Sequence, residues 1–463
     1  MHKKLLSLSI TAALVGGLAI SGSALADSHG KGTFRFKAID STINSADFNP
    51  AAPWKLPKGF TQRVVTGEQT LNIYTQPTYN DGSSVTPGPQ SNDWPDMNTV
   101  NETGPQAGRF LYTTHEVRGN TERGGTVTVT DLKTGKTTII AEDPGFDALD
   151  GIRWTPWGSI LFAEEKEGGR LFEIKLDPND LTKALEVVDR PAVGRVAHEG
   201  IEVDKEGNVY VVDEFRGQSQ GCGFTPCGGG IYKFVPTHPG NADSLSDGQL
   251  FVLRVNGPDG VGQGEWVGPI DPSNARVAGS LAPFNGTSYQ RPEDLEIIGD
   301  TLYANITEGP RAQGLNKEVY ESRVISINLK TMQVANFVKP GVNVPVEIGR
   351  PGDANFQTGM DNVDNLAESP DGRLVIVEDN VPSDIWFAST KTNEFGASEK
   401  VELFGSLSDP SAEGTGIYFS PLDPKTLYVN VQHSAIDDGD ATWAISKTGN
   451  NRGHGHIRDR DDK

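Results

Sequence analysis

The sequence predicts an all-β fold, a six-bladed β-propeller with long inter-strand loop insertions. Three observations carry this. Fifty-four glycines and twenty-nine prolines are spread through 463 residues, and short apolar runs bounded by Gly, Pro, Asp and Asn dominate over helical periodicity. One pattern also recurs: an acid, an apolar stretch, a turn, a strand and one or two further acids. The leading acids Asp150, Glu199, Glu293, Asp364 and Glu413 stand 49, 94, 71 and 49 residues apart, lengths that suit one four-stranded sheet per repeat with insertions.

Each copy is legible in order. "GRFLYTTHE" (108–116) is the second half of the first copy, with Asn92-Asp93 as its candidate opening. "DGIRWTPWGSILFAEE" (150–165) is the second and "AHEGIEVDKEGNVYVVDE" (197–214) the third. "RPEDLEIIGDTLYANITE" (291–308), "DNVDNLAESPDGRLVIVED" (361–379) and "EGTGIYFSPLDPKTLYVNVQH" (413–433) complete six. A further strand follows most copies, such as "GRLFEIKL" or "DIWFAS". The stretch 235–290 is rich in Gly, Pro, Asp and Asn and reads as long loops.

The ends read differently. "MHKK", the apolar run "LLSLSITAALVGGLAI" and "SGSALA" form a secretory signal peptide over residues 1–26. The propeller domain is expected over 27–447, with a disordered polar tail over 448–463. This places the protein in the periplasm or outside the cell, with no membrane association after cleavage. Cys222 and Cys227, in "GCGFTPCGGG", are expected to form a disulfide in that compartment. The net charge of -21 excludes nucleic-acid binding by charge attraction. The chain is expected to be a monomer.

In a propeller, equivalent positions of successive blades gather around one axis. Acids repeated at those positions therefore converge, and a converging set must protonate or bind cations. Oxygen-rich sites favour calcium, and also manganese or iron. Asp204, Glu206 and Asp371 lie in "DKEGN" and "PDG" turns and read as turn residues. His115 and His198 read as structural. Arg291 precedes Glu293 by two residues, so in a strand both share a face. An arginine beside metal-binding carboxylates is a fork for a phosphate or carboxylate.

Taken together, "TPWGSILFAEE", "AHEGIEVD", "RPEDLEI", "DNLAESPDGRLVIVED" and "EGTGIYFSP…TLYVNVQH" resemble the successive motifs of PhoX-type alkaline phosphatases, over roughly residues 90–435. The resemblance implies a calcium and iron cluster in the channel of a six-bladed propeller, and hydrolysis of a small-molecule phosphate ester there. It implies that Glu199 and Glu293 are bridging or iron-binding carboxylates and that Arg291 contacts phosphate. Glu116, Glu164, Glu165, Asp364, Glu378, Asp379 and Glu413 fall in the family's metal-binding acidic strings. The chain departs from the pattern at three places. Asp150 stands where the family has an iron-binding Cys, an oxygen ligand in place of a thiolate. Lys166 stands where the family has an Asn near the phosphate, and would add a second positive contact. The leader carries Lys3-Lys4 in place of twin arginines. The reading is thus an exported metal-dependent phosphomonoesterase. Its rivals are a lactonase-like calcium-dependent propeller hydrolase and a non-catalytic calcium-binding propeller.

Overall fold

Five of the six repeated segments fold as an antiparallel strand pair, the first copy supplies the second strand of such a pair, and each pair is the inner part of a larger sheet. The computed structural model describes residues 34–67, 94–117, 124–217, 228–240, 243–307, 322–436 and 439–448. The signal peptide, Asn92-Asp93, Cys222, Cys227 and all of the tail after Thr448 lie outside the described residues.

The strands form five hydrogen-bonded sheets, and the nine-stranded one holds two successive blades, so six blades follow one another. Blade 1 is Pro95–Val100, Phe110–His115, Gly125–Asp131 and Lys136–Asp143. Blade 2 is Leu149–Trp154, Ile160–Glu164, Leu171–Asp177 and Asp180–Asp189. Blade 3 starts with Ile201–Val203, Val209–Val212 and Ile231–Pro236. Blade 4 is Pro292–Ile298, Thr301–Ile306, Arg323–Asn328 and Gln333–Val338. Blade 5 is Val363–Glu368, Leu374–Glu378, Asp384–Ala388 and Val401–Leu407, with Trp54–Lys55 added outside. Blade 6 is Glu413–Phe419, Thr426–Gln432 and Ala441–Lys447, and its outer strand is Phe60–Gly67 from the other end of the chain.

The inner two strands of neighbouring blades join in a closed ring. Thr114 Oγ1 donates to Asp150 O, and His198 N to Glu164 O at 3.0 Å. Gly200 N donates to Glu293 O at 3.0 Å and Leu366 N to Asp294 Oδ2 at 2.8 Å. Gly416 N donates to Asn365 Oδ1 at 2.6 Å, and Asn98 Nδ2 to Gly416 O at 2.8 Å, which returns to blade 1. Between neighbouring blades lie the apolar layers. Tyr112, Val127, Ile160, Phe162, Phe172 and Ile174, for example, fill the space between blades 1 and 2. Each such side chain contributes about 1.5–3 kcal/mol on burial.

The stretch 235–290 differs from its expectation as loops. It supplies Gly248–Asn256 and Gly262–Ile270 as further strands of blade 3, and a short helix, Ala275–Ser280. Gly262 and Gln263 pair with Val334 and Gln333, which stitches blade 3 to blade 4. Alternation in "QLFVLRVN" outweighs the turn-forming residues around it.

A repeated irregularity positions the site. The first strand slips register between Pro95 and Asn98, Leu149 and Ile152, Pro292 and Leu295, Val363 and Leu366, and Thr415 and Tyr418. The residue just N-terminal to that slip has positive φ in four blades: Trp94 (25°), Ala148 (51°), Arg291 (50°) and Asn362 (44°). A bulge re-aims the side chain it carries. Here that residue is Asp96, Asp150, Glu293 or Asp364.

Candidate metal centre

The bulge residues end at a cavity of about 330 Å³ at the axis. Blade 1 brings Asp96 and Glu116 to its wall, and blade 2 brings Asp150 and Glu165. Blade 3 adds Glu199, blade 4 Arg291 and Glu293, blade 5 Asp364 and Asp379, and blade 6 Glu413. Trp94, Thr415, Gln432 and His433 complete the lining.

Three candidates do not reach it. Glu164 points into blade 2, where Arg170 Nε donates to its Oε2 at 2.8 Å. Glu378 points into blade 5, where its Oε1 accepts from Trp386 Nε1 at 2.9 Å. Lys166 Nζ lies 3.3 Å from Asp147 Oδ2 and 3.5 Å from Glu164 Oε1, and is not part of the cavity wall. The cause is common. Adjacent residues at a strand end face opposite ways, so of each acid pair one member reaches the axis and the other enters the blade. Asp204 and Asp371 cap turns: Asp204 Oδ1 accepts from Glu206 N and Asn208 N, and Asp371 Oδ1 from Ser369 Oγ.

Glu199, Glu293 and Asp364 each offer an oxygen within 4.8 Å of the others. All three are buried. Burial raises the Glu199 carboxyl well above its usual range, and the charges of Glu293 and Asp150 raise it further. Burial likewise lifts Asp364, with Glu293 and Asp379 adding to it. Glu293 is lifted to about 7 by burial, against the opposing pull of Arg291. Asp150 is raised by burial and then by Asp96, Glu165, Glu116 and Asp364. Asp150 Oδ1 and Glu199 Oε2 are buried without a hydrogen-bond partner among the described residues. Buried acceptors left so are costly. An anionic, all-oxygen donor set with open acceptors fits a hard divalent cation.

Arg291 stands beside this set. Its Nε donates to Glu214 Oε1 and lies 3.1 Å from Glu293 Oε1, and its Nη1 is 3.9 Å from Asp379 Oδ2. Its backbone C=O accepts from Thr307 N at 3.0 Å. Burial works against its charge, but Glu293, Glu214 and Asp379 hold its proton more firmly than usual.

Sequence reasoning missed several members. Asn92-Asp93 lie outside the described residues; among those described, Asp96 is the acid at the start of blade 1, and "PDMNTV" carries the same acid-then-apolar spacing as the other copies. Glu214 is the second acid of blade 3 and went unassigned. Gln432 Nε2 lies 3.3 Å from both Asp96 Oδ2 and Glu116 Oε2. In blade 6 the bulge position is Gly416, at φ +56°, where a Cβ would lie 2.0 Å from Asp96 O. Glu413, three residues earlier, reaches the cavity from another height, with its Oε1 3.2 Å from His433 Nε2. The "EG" shared with Glu199-Gly200 makes the two acids look equivalent; the register shows they are not.

A search of curated proteins finds no match. Among solved structures the chain is similar to a PhoX from Pseudomonas fluorescens in complex with vanadate, a transition state analogue. Sequence identity is 18% and the TM-score 0.58, over 89% of this chain and 98% of that one. The PQQ-bound aldose sugar dehydrogenase of Streptomyces coelicolor is more distant, at 14% identity and TM-score 0.41 over 85% and 99% of the two chains. A gluconolactonase from Xanthomonas campestris stands at 12% and 0.33, over 78% and 99%. The family model for alkaline phosphatase PhoX matches residues 169–435, more than half of the sequence. This chain belongs to the PhoX alkaline phosphatase family.

Proposed function

We propose that the protein is an exported, metal-dependent phosphomonoesterase acting on small phosphate esters in the propeller channel. The observation that carries it is the setting of Arg291. Among the described residues lining the cavity, it is the only Arg or Lys, and it is fixed beside the Glu199–Glu293–Asp364 group. A guanidinium so held matches the non-bridging oxygens of a phosphoryl group. A neutral lactone would have no use for it.

Asp150, Glu199, Glu293 and Asp364 would hold the cations, with Asp96, Glu116, Glu165, Asp379 and Glu413 around them. Calcium fits these oxygens best, and iron is a further candidate. When bound, the cations would supply Lewis-acid charge that offsets the phosphoryl oxygens and the acidic channel itself. Arg291 binds and orients the ester. Glu214 holds Arg291 in place through its Nε. Trp94 and His433, in edge contact with centroids 4.2 Å apart, form part of the wall. Lys166 takes no part, since its ammonium is engaged by Asp147 and Glu164.

Export rests on the basic-apolar-small leader, and puts the protein in the periplasm or medium as a monomer with Cys222 and Cys227 joined. No helix among the described residues is long and apolar enough to cross a membrane. The test is turnover of an aryl phosphate and of a lactone by protein supplied with calcium and iron, from neutral to alkaline pH. Hydrolysis of the phosphate alone supports the reading. Lactone opening alone, or neither activity, rejects it.

A further inference from the structure

Three blades place an acid at the end of the second strand, facing into the blade: Glu164, Asp213 and Glu378. Blades 2 and 3 neutralise theirs with a guanidinium. Arg170 Nε meets Glu164 Oε2 at 2.8 Å, and Arg276 Nε meets Asp213 Oδ2 at 2.7 Å. Among the described residues, blade 5 gives Glu378 no such partner. Its Oε1 accepts from Trp386 Nε1 at 2.9 Å and from Asp361 N at 3.1 Å. Its Oε2 has no hydrogen-bond partner, in a residue that is 0% exposed.

A second acid stands opposite. Val377 pairs with Ile385, so by continuation of that register Glu378 faces Asp384 across the ladder. Side chains so placed have Cβ atoms about 4.5–5.5 Å apart, and like charges there repel. Asp384 is also 0% exposed. Its Oδ2 accepts from Thr42 Oγ1 at 2.6 Å, and the Ser406 hydroxyl also acts on the carboxyl, while Oδ1 has no hydrogen-bond partner among the described residues. The turn between the strands carries a third buried oxygen without a donor, Asn380 Oδ1. Glu347 and Asp361 add negative charge around Glu378. The basic group acting on Asp384 is Lys55, and its ammonium donates to Ser41 O at 2.6 Å.

We propose that Glu378 and Asp384, with the amide oxygen of Asn380, form a second divalent-cation site inside blade 5, for calcium, separate from the channel. The ion does there what Arg170 and Arg276 do in blades 2 and 3. Calcium suits the place because it accepts mixed carboxylate, amide and water oxygens in irregular geometry. The site also fixes the turn after Asp379, which leads from the channel wall to Asp384. It does not depend on the phosphatase reading, since none of its residues lines the cavity.

Crystals of the full chain grown with calcium and soaked in terbium test it. An anomalous peak is expected between Glu378 Oε2 and Asp384 Oδ1, apart from any in the channel. In solution, Asp384→Asn should carry one calcium fewer per chain than wild type by elemental analysis. Wild-type crystals with no peak at this place overturn the proposal. So does an Asp384→Asn variant with unchanged calcium content, because the two carboxyls then share a proton in place of a cation. Should Asp384→Asn fail to fold, the wild-type crystals decide alone.

Discussion

Arg291 is gripped by Glu214, a carboxylate from the preceding blade, while its own blade supplies Glu293 3.1 Å from the same Nε. The contact joins blades 3 and 4 at the cavity wall. Phe215, next to Glu214, adds to it by accepting from Arg291 N at 3.3 Å.

Arg291→Ala should lower kcat/KM for an aryl phosphate by about two orders of magnitude or more, the effect of losing a preorganised charged contact. Metal content should stay at the wild-type level. Glu214→Gln keeps the guanidinium but loosens it, and should cost roughly tenfold to a hundredfold. Equal activity of Glu214→Gln and wild type would show that Arg291 is positioned by its backbone and Glu293 alone.

Calcium uptake should release protons. Burial raises Asp150, Glu199 and Asp364, and brings Glu293 from 4.5 to about 7. Each of these groups binds its proton more tightly folded than unfolded. Their contribution to the metal-free fold is therefore greatest below the unfolded value and is lost as pH rises toward the folded one. A cation must displace those protons. Titration calorimetry at neutral pH in buffers of different ionisation heat should report at least one proton released per chain. Buffer-independent heats would contradict the assignment. Chelation should also lower the melting temperature, since ions that bind only the folded state stabilise it.

Asp150→Cys tests the place of Asp150 in the cluster. A thiolate is a softer ligand that favours iron, so iron occupancy should rise relative to calcium by elemental analysis, with a new thiolate-to-metal absorption band. No change in either would place Asp150 beside the cations without contact.

The Asp213–Arg276 pair should be a stability determinant. Arg276 donates twice to Asp213 at 2.7 Å, and its guanidinium lies 3.9 Å from the centroid of the Phe215 ring. Arg276→Met leaves Asp213 buried without a counter-charge, with the Ala197 N–H at 3.0 Å as its remaining donor, which should cost about 3–5 kcal/mol in urea unfolding. Asp213→Asn in the same chain should recover part of that loss.

Much of this architecture could be read from the letters. The recurrence of acid, strand, turn and acid gives the blades, and convergence at the axis follows. What the repeat does not reveal is aim. Glu164 and Glu165 look alike in sequence, yet the one enters blade 2 and the other the channel. The side is set by where the bulge falls, a backbone choice spread over Ala148, Leu149 and Ile152. Glu413 and Gly416 show the same limit, because sequence likeness to Glu199-Gly200 matched the wrong residue of blade 6. Lys166 shows another. A basic residue beside an acidic channel need not face it when Asp147 and Glu164 lie closer.

The outer strand of blade 6 comes from Phe60–Gly67, so the ring is clasped by residues far apart along the chain: Thr61 and Ser446 are separated by 385 positions. Contacts of such long range form late, because the intervening loop must first be ordered. Until that clasp is made, the Thr426–Gln432 and Ala441–Lys447 ribbon has a free edge, which invites pairing with another molecule. Assembly is then a race between self-closure and aggregation, and a substitution at Val64 or Trp443, which face each other across the clasp, would change the yield of folded protein.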